Sequence, residues 1–571
     1  MNNSLGYGDY LVFLIYFFIV AGYGYWIYKK RQSKETDTQS FFLAEGSLTW
    51  WAIGASMIAS NISAEQFVGM SGSGFSMGLA ISAYEWLAAI SLIIVAVFFM
   101  PIYLKNRIFT MPQFLKQRYN EKVALLMAIF WLFLYVFVNL TSILYLGSVA
   151  ISNLAGTQYF HLIMILLAIF ALVITLGGMK VIGYTDVIQV IFLVIGGLAA
   201  TYLALTKVSE HFGYGKDFIA GIDQLFKKAP EHFDMIFDKP TTNSTEAEVK
   251  NYLSLPGVAM LLAGQWIANL NYWGCNQYIT QRALGADLPT ARKGILFAAF
   301  LKIMMPIIVV LPGIAAFVLY KGGHNDVQAA MEVGGKVNAD RAYSTVLAFL
   351  PEGLRGLSMA ALTAAIVASL AGKANSISTI FTLDIYKKYV SKEASEKKLV
   401  WTGRLTVLLA MIIAILFTWN DWLNIGGEGG FTFIQKYTGF VSPGIFAVFL
   451  LGFFWKRTTS LAAVAGIVGG FILSVLFNSY FPQWFGHETL LYTAYINPDN
   501  GLYEIPFLTS MGWVFAICVA LMVTLSVLDP KSRNNPKATQ YDSSMFKVSN
   551  GMLAMILVIL GIIAALYVRF W

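Results

Sequence analysis

The chain has 571 residues, of which 57% are hydrophobic and only 12% are charged. A soluble protein would carry about twice that share of charge, so the composition excludes an ordinary soluble protein and indicates an integral membrane protein. The two cysteines, Cys275 and Cys518, stand in apolar runs and exclude a disulfide framework. The net charge of +8 does not indicate nucleic-acid binding, because its basic residues stand in short segments between apolar runs.

Fourteen apolar segments of roughly 20 residues, the length that crosses a bilayer, follow one another along the chain. We number them as predicted spans one to fourteen, and they cover 10–28, 50–73, 78–103, 122–150, 160–178, 181–205, 255–280, 293–320, 354–386, 400–419, 428–454, 458–480, 508–529 and 551–570. We therefore expect an all-α integral membrane protein that forms a single membrane domain over residues 1–571. The two longest connections, 206–254 and 321–353, could hold short helices.

Basic residues cluster in the connections that follow odd-numbered spans. They are Lys29, Lys30 and Arg31 after span one, Lys105, Arg107, Lys116 and Arg118 after span three, Arg282, Arg292 and Lys293 after span seven, Lys387, Lys388, Lys392, Lys397 and Lys398 after span nine, Lys456 and Arg457 after span eleven, and Lys531, Arg533 and Lys537 after span thirteen. The positive-inside rule makes that side cytoplasmic. We expect a multi-pass protein of the plasma (inner) membrane with both termini extracytoplasmic.

Residues 54–88 form the most unusual apolar stretch, because they carry the polar side chains Asn61, Ser63, Glu65, Gln66 and Glu85 and a glycine–serine cluster at 69–74. Polar side chains at membrane depth are candidates for function. Glycines permit a helix to be interrupted, and an interruption survives in a membrane only where it lines an enclosed cavity. We predict a broken helix that holds a solute or ion. The alternative is a seam of small residues for close helix packing, against which Glu85 argues.

Span seven contains a second polar stretch, QWIANLNYWG at 265–274, which we also interpret as an interruption. It lies five spans after span two, so the two segments start on opposite sides of the membrane. Paired broken helices in inverted halves point to a transporter site near the midplane.

Several motifs of the chain are similar to those of one family. They are ASNISAEQFVGMSGSG, SAYEWLAAISLII, YTDVIQVIFLV, NYWGCNQYITQR, NSISTIFTLDIYKKY and YTGFVSPGIFAVFLLGFFW. These stretches resemble the sodium–solute symporter family, in particular its sugar-transporting members. The resemblance implies a LeuT-type fold with 14 transmembrane helices. Two inverted five-helix repeats would cover 50–205 and 255–454, with 10–28, 458–480, 508–529 and 551–570 at the periphery. It also implies sugar uptake driven by sodium through alternating access.

The resemblance implies a sugar site built largely from amide side chains with one acid and one base. Its residues are Asn61, Gln66, Glu85, Asn139, Asn269, Tyr272, Lys302 and Gln435. Amides donate and accept hydrogen bonds, as sugar hydroxyls do. Asn139 stands where sialic-acid-transporting members have an arginine, which favours a neutral polyol. Ala88 replaces a serine that contacts sugar, so the preferred sugar could differ.

By the same resemblance, Met70, Tyr84 and Phe431 form an outer gate and Tyr272 forms an inner gate that stacks on the sugar ring. The resemblance also implies that sodium, the coupling ion, binds between spans two and nine. Its ligands would be the carbonyl oxygens of Ala59, Ile62 and Ala365 and the hydroxyl of Ser369, with Asp186 nearby. Sodium prefers oxygen ligands, which an unwound helix exposes.

The sodium-binding part of span nine departs from the family pattern at Ala368, where members often have a serine, and at Lys373. Lys373 follows Ser369 by one helical turn. We hypothesise that its ammonium pairs with Asp186 and replaces a second cation, so that one sodium moves per sugar. Lys373 could instead reach a wet cytoplasmic vestibule. A stronger version of the hypothesis has transport independent of sodium or linked to protons.

Three other functions compete with sodium-driven sugar symport. The same fold could move another solute, such as an inositol, a carboxylate or an amino acid. The protein could also be a sugar sensor or a channel. We do not expect an enzyme, because the sequence shows no nucleophile–base pair, metal cluster or phosphate-binding loop with coherent spacing. The expected partners are the sugar, sodium and the lipid bilayer, with no nucleic acid.

Overall fold

Helices occupy all fourteen predicted spans in the computed structural model, which describes residues 5–31, 49–108, 111–177 and 179–571. In the first half they are Tyr7–Arg31, Trp50–Asn61, Glu65–Met70, Ser71–Met77, Gly78–Ser82, Ala83–Ile94, Val95–Phe99, Met100–Lys105, Met111–Arg118, Glu121–Phe133, Leu134–Leu140, Thr141–Ala155, Thr157–Tyr159, Phe160–Gly177 and Met179–His211. By length and hydropathy, ten helices in the described ranges could cross a membrane, or up to twelve if two bent pairs each count as one span. The chain is a multi-pass membrane protein, and the count of fourteen is consistent with the structure.

The second half repeats this alternation of long and broken helices. Its helices are Gly257–Leu262, Gly264–Cys275, Gln277–Leu284, Leu288–Val309, Leu311–Lys321, Leu354–Thr379, Ile380–Val390, Glu396–Trp419, Gly430–Thr438, Ser442–Phe454, Ser460–Val475, Leu476–Tyr480, Phe507–Leu528 and Asn550–Phe570. The connections hold the short helices Phe218–Lys228, Pro230–Phe233, Glu246–Ser254, Asn325–Met331, Ala339–Arg341, Ala342–Leu347, Ile425–Glu428, Phe481–Phe485, Gly486–Glu488, Thr489–Tyr492, Pro530–Asn534 and Ser543–Phe546. Two small antiparallel hairpins pair Glu332–Val333 with Lys336–Val337 and Tyr495–Ile496 with Tyr503–Glu504.

Span two is broken, but the predicted position of the break at the glycine–serine cluster is wrong. Helix Trp50–Asn61 ends at Ile62, whose backbone is extended (φ −70°, ψ 112°), and the chain becomes helical again at Glu65. The Ser63 N–H donates to Gln66 Oε1 over 3.2 Å instead of to the carbonyl one turn earlier. The Ala59 carbonyl therefore loses its usual helical donor. Residues 69–74 are helical throughout.

The glycines of the 69–74 cluster allow close packing of neighbouring backbones. A Cβ atom added at Gly69 would lie 3.0 Å from the Phe431 backbone nitrogen, and one at Gly74 would lie 2.7 Å from the Val310 carbonyl oxygen. Small residues at a helix interface permit this approach in membrane proteins. The packing alternative is thus correct for the glycines, while the break lies a turn or two before them.

Span seven is also broken, at positions that flank the predicted one. The helical segment Glu246–Leu262 meets helix Gly264–Cys275 at an angle of 79°, with Ala263 between them. A second break follows at Asn276 (φ −96°, ψ 121°), whose Oδ1 accepts from the Tyr278 N–H over 3.0 Å and caps the next helix. The prediction of an interruption within 265–274 is wrong, because those residues form one continuous helix.

The broken spans pack in the centre of the bundle. Trp50–Asn61 and Ala83–Ile94 both contact Leu288–Val309, and Ala83–Ile94 also contacts Gly264–Cys275. Of the apolar segment of the helix over 354–390, 83% is buried inside the protein, whereas only 17% of that of Asn550–Phe570 is buried. The exposed apolar surface of the last helix suits contact with lipid. The buried helix over 354–390 lies inside the bundle, where its polar groups are kept away from lipid.

Candidate functional site

A central cavity lies between the broken spans and their neighbours. All eight predicted sugar contacts line it, and they are Asn61, Gln66, Glu85, Asn139, Asn269, Tyr272, Lys302 and Gln435. Ala88, the position of the missing serine, also lines it. The structure thus brings together residues that are up to 374 positions apart in the chain. Their contact with sugar stays a prediction.

The best-defined part of the cavity wall is an ion pair between Glu85 on span three and Lys302 on span eight. Lys302 Nζ donates to Glu85 Oε2 over 2.6 Å, and the two residues are only 1% and 3% exposed. Lys302 Nζ also donates to Asn61 Oδ1, and Asn61 Nδ2 donates to the Tyr272 hydroxyl over 3.3 Å. This chain of hydrogen bonds links spans two, three, seven and eight, so both broken helices contribute to the same network of polar side chains.

Gln66 has two roles, because it stabilises the break of span two and lines the cavity. Its Oε1 accepts from the N–H and the hydroxyl of Ser63, over 3.2 and 3.3 Å. On span seven, Asn269 Nδ2 donates to the Gln265 carbonyl over 3.0 Å. That bond orients the amide and leaves its oxygen available to a solute in the cavity.

The predicted sodium ligands fall on the break of span two and on one face of span nine. The break frees the Ala59 carbonyl from its helical donor, which provides the kind of oxygen that sodium prefers. Ala365 and Ser369 are one turn apart on Leu354–Thr379, and both are buried. These residues fit a cation site, and their sodium-binding role stays a prediction. The side chain of Asp186 lies outside the part of the chain that the structure describes.

Two of the three predicted outer-gate residues, Tyr84 and Phe431, pack against each other in the cavity wall. The Tyr84 and Phe431 rings meet edge to face with centroids 5.1 Å apart, and Met70 is fully buried. Asp340, from the connection 321–353, lies beside them. Its Oδ2 accepts from the Gly430 N–H over 3.0 Å. This contact ties the connection to span eleven next to the gate, a role that the sequence did not reveal.

Asp340 is expected to make the stability of the folded protein depend on pH. Burial raises the pKa of its carboxyl to about 7, and the Gly430 N–H only partly opposes this. The folded protein therefore retains a proton that the unfolded chain loses near pH 4. Its contribution to the free energy of unfolding falls as the pH rises from about 4 to about 7, by as much as about 4 kcal/mol.

The measurement is the melting temperature of the purified protein between pH 4 and pH 8, for the wild type and for Asp340→Asn. The asparagine keeps an oxygen for the Gly430 N–H but does not titrate. The difference between the two melting temperatures should change across this pH window. A difference that is constant with pH contradicts the prediction.

Sequence reasoning missed several residues of the cavity wall, among them Tyr135, Asn276 and Thr438. It marked Glu65 as a polar side chain at membrane depth but did not assign it to the sugar site. Lys373, which we placed near sodium, also lines the cavity. Its Nζ donates to Asn139 Oδ1 over 3.3 Å. The hypothesised pair of Lys373 with Asp186 stays a prediction.

Membrane helices with two broken spans, whose polar side chains converge on one enclosed cavity, define a secondary transporter. The profile of the "Sodium:solute symporter family" matches residues 41–470, which is most of the chain. The chain belongs to this family, whose members are transporters that use sodium as the coupling ion.

Individual relatives agree with this assignment. The chain is 43% identical to a "Sodium/glucose cotransporter" of Vibrio parahaemolyticus over 579 residues, which cover 100% of this chain and 99% of the relative. It is 33% identical to the human "Sodium/myo-inositol cotransporter 2", over 83% of this chain and 70% of the relative. It is 32% identical to "Sodium/glucose cotransporter 1" of the rabbit Oryctolagus cuniculus, over 82% of this chain and 71% of the relative.

A solved structure has the same fold. It is the substrate-bound, outward-open state of a Na+-coupled sialic acid symporter, which matches with a TM-score of 0.70 and 21% identity over 92% of this chain and 98% of that one. The expected LeuT-type fold is confirmed.

Proposed function

We propose that this protein imports a neutral hexose, such as glucose or galactose, together with sodium, by alternating access, and that it is not an enzyme. The observation that carries the proposal is the convergence of all eight predicted sugar contacts on one enclosed cavity. The sodium/glucose relatives support it independently. We also propose the inner or plasma membrane as its location, extracytoplasmic termini, and inverted repeats at 50–205 and 255–454.

The chemistry of the cavity favours a polyol. Amides from four spans, two acids and two bases line a common cavity, and each sugar hydroxyl can donate to one group and accept from another. The Tyr84 hydroxyl and Thr438 Oγ1 are buried in residues that line the cavity, and they have no hydrogen-bond partner among the described residues. A sugar that satisfies such groups is discriminated from one that leaves them unpaired.

An inositol is the second candidate substrate, because a sodium/myo-inositol cotransporter is among the relatives. Inositols and hexoses present similar rings of hydroxyl groups, so the same cavity chemistry suits both. The first experiment is uptake into proteoliposomes of a panel of labelled solutes, each with and without an inward sodium gradient. The panel contains glucose, galactose, myo-inositol and a sugar acid.

We expect a neutral hexose to accumulate only with the gradient and to be competed by other neutral hexoses. Preference for myo-inositol selects the second candidate. Inhibition by an acidic sugar alone overturns both. Counterflow of labelled sugar distinguishes transport from sensing or channel activity, because only a transporter exchanges solute through a bound state.

We expect one sodium ion to move with each sugar. By the family resemblance, a second sodium site would need extra hydroxyl groups on span nine. The corresponding residues here are Ala368, Ala371 and Gly372, and none of them has a hydroxyl. One sodium at ~100 mV and a tenfold gradient supplies about 2.3 + 1.4 ≈ 3.7 kcal/mol, enough for roughly 500-fold accumulation. Reversal-potential measurements in proteoliposomes give the ratio directly. A ratio of two rules out the prediction, and uptake indifferent to sodium favours the sodium-independent or proton-linked alternative.

A further inference from the structure

Lys373 places a second ammonium group in the wall of the cavity. It is 5% exposed, and its Nζ donates one long hydrogen bond, 3.3 Å, to Asn139 Oδ1. The faces of the Tyr135 and Tyr278 rings lie 5.3 and 5.2 Å from it. Within the described ranges, no carboxylate forms an ion pair with it. The group is thus held by an amide and two aromatic faces on one side and is open to the cavity on the other.

Glu65 supplies the opposite charge in the same cavity. Its Oε1 is buried and has no hydrogen-bond partner among the described residues. Among the described residues no ion pair joins its carboxylate to Lys373, although both residues line the same cavity. Both charges thus belong to residues of the cavity that holds the candidate sugar site.

The two charged pairs of the cavity therefore differ in a way that matters for binding. Glu85 and Lys302 are in direct contact at 2.6 Å and satisfy each other. Glu65 and Lys373 are separated, and a buried charge without a hydrogen-bonded partner is costly. The separation requires a group that accepts from the ammonium and donates to the carboxylate. A hydroxyl does both through one oxygen, and a pair of adjacent hydroxyls does so over a longer gap.

We infer that Glu65 and Lys373 bind a hydroxyl, or two adjacent hydroxyls, of the transported solute between them. This inference rests on the proposed function and deepens it, because it assigns two further contact residues to the neutral polyol. The four charges of the cavity sum to zero, so they attract no net charge in the ligand. The polyol is then held at two charged points, by Glu85 with Lys302 and by Glu65 with Lys373.

The test compares the sugar affinities of Lys373→Met, Glu65→Gln and the double variant with that of the wild type, at saturating sodium in detergent. Hydrogen bonds to charged groups are strong, so each single variant should bind the preferred sugar about 10- to 100-fold more weakly. The double variant should lose less than the sum of the two, because neither charge is left alone. Lys388→Met is the matched control, because Lys388 lies just after the same predicted span and pairs with Asp384 on its own helix, Ile380–Val390.

A series of monodeoxy sugars identifies the bridging hydroxyl. Removing that hydroxyl should weaken binding to the wild type but have little effect on the double variant. Melting temperatures show whether the variants are folded. If a single variant does not fold, the comparison of the wild type with the uncharged double variant still tests the inference.

Three results would overturn the inference. The first is an unchanged sugar affinity in the folded double variant. The second is a set of deoxy penalties identical in wild type and double variant. The third is a shift confined to the sodium concentration for half-maximal uptake, which would assign Lys373 to the cation site instead. Binding of neutral polyols to the wild-type protein is measured before any variant is made. If the wild type binds none of them, the proposed function itself is refuted.

Discussion

Replacing Glu85 with alanine is expected to abolish sugar binding while leaving the protein folded. The substitution removes an acceptor from the cavity and leaves Lys302 buried without its counter-ion. Breaking a buried ion pair costs about 3–5 kcal/mol. Folding should survive, because Lys302 still donates to Asn61 and lies 5.2 Å from the Trp273 ring. We expect at least a 100-fold loss of sugar affinity.

Isothermal titration with the preferred sugar, at saturating sodium, measures this loss. Gln66→Ala should have a similar effect for a second reason, because Gln66 also accepts from Ser63 at the break of span two. Glu393→Ala is the matched control, since Glu393 is exposed. Wild-type sugar affinity in a well-folded Glu85→Ala protein would falsify the assignment of this cavity as the sugar site.

Replacing Gly313 with valine is expected to prevent correct folding. A Cβ atom added at Gly313 would lie 2.0 Å from the Ser71 carbonyl oxygen and 2.9 Å from the Phe75 backbone nitrogen. These are backbone atoms of helix Ser71–Met77, which cannot move aside as a flexible side chain could. Overpacking at a close backbone contact should cost more than about 3 kcal/mol.

Gel filtration and the melting temperature in detergent measure this effect. Gly561→Val is the control, because Gly561 also lies in an apolar helix but has no atom within 4 Å of an added Cβ. Gly313→Val should aggregate or melt at a temperature far below that of the wild type, and the control Gly561→Val should melt at about the same temperature as the wild type. Equal melting temperatures for the two variants would show that spans two and eight can separate without loss of stability.

Much of the candidate site was predictable because polar side chains are rare in membrane spans. Asn61, Gln66 and Glu85 stand out against apolar neighbours, since a polar group in lipid is retained only where it is enclosed, and the family resemblance added Lys302. The resemblance of the surrounding motifs then indicated a shared role. All of them line the cavity of the structure.

The positions of the helix breaks were not predictable in the same way. Glycine favours both an interrupted helix and a close contact between helices, so the 69–74 cluster is ambiguous as sequence. Its neighbours decide between these, and Phe431 and Val310 lie close against it. The actual break, at Ile62 and Ser63, is stabilised by the side chain of Gln66, and such a bond leaves no mark in composition or periodicity.

The sequence by itself determined the class of the protein, its helical segments and the polar residues of its cavity, because hydropathy and rare intramembrane polar groups are local properties. The tertiary structure alone decided which groups meet. Lys302 pairs with Glu85, which is 217 residues away, and Asp340 pairs with the backbone of Gly430, 90 residues away. It also placed Glu65 and Lys373 in the lining of one cavity, with no ion pair between them among the described residues. Such contacts depend on how distant helices cross and rotate, and that geometry follows from the packing of the whole bundle.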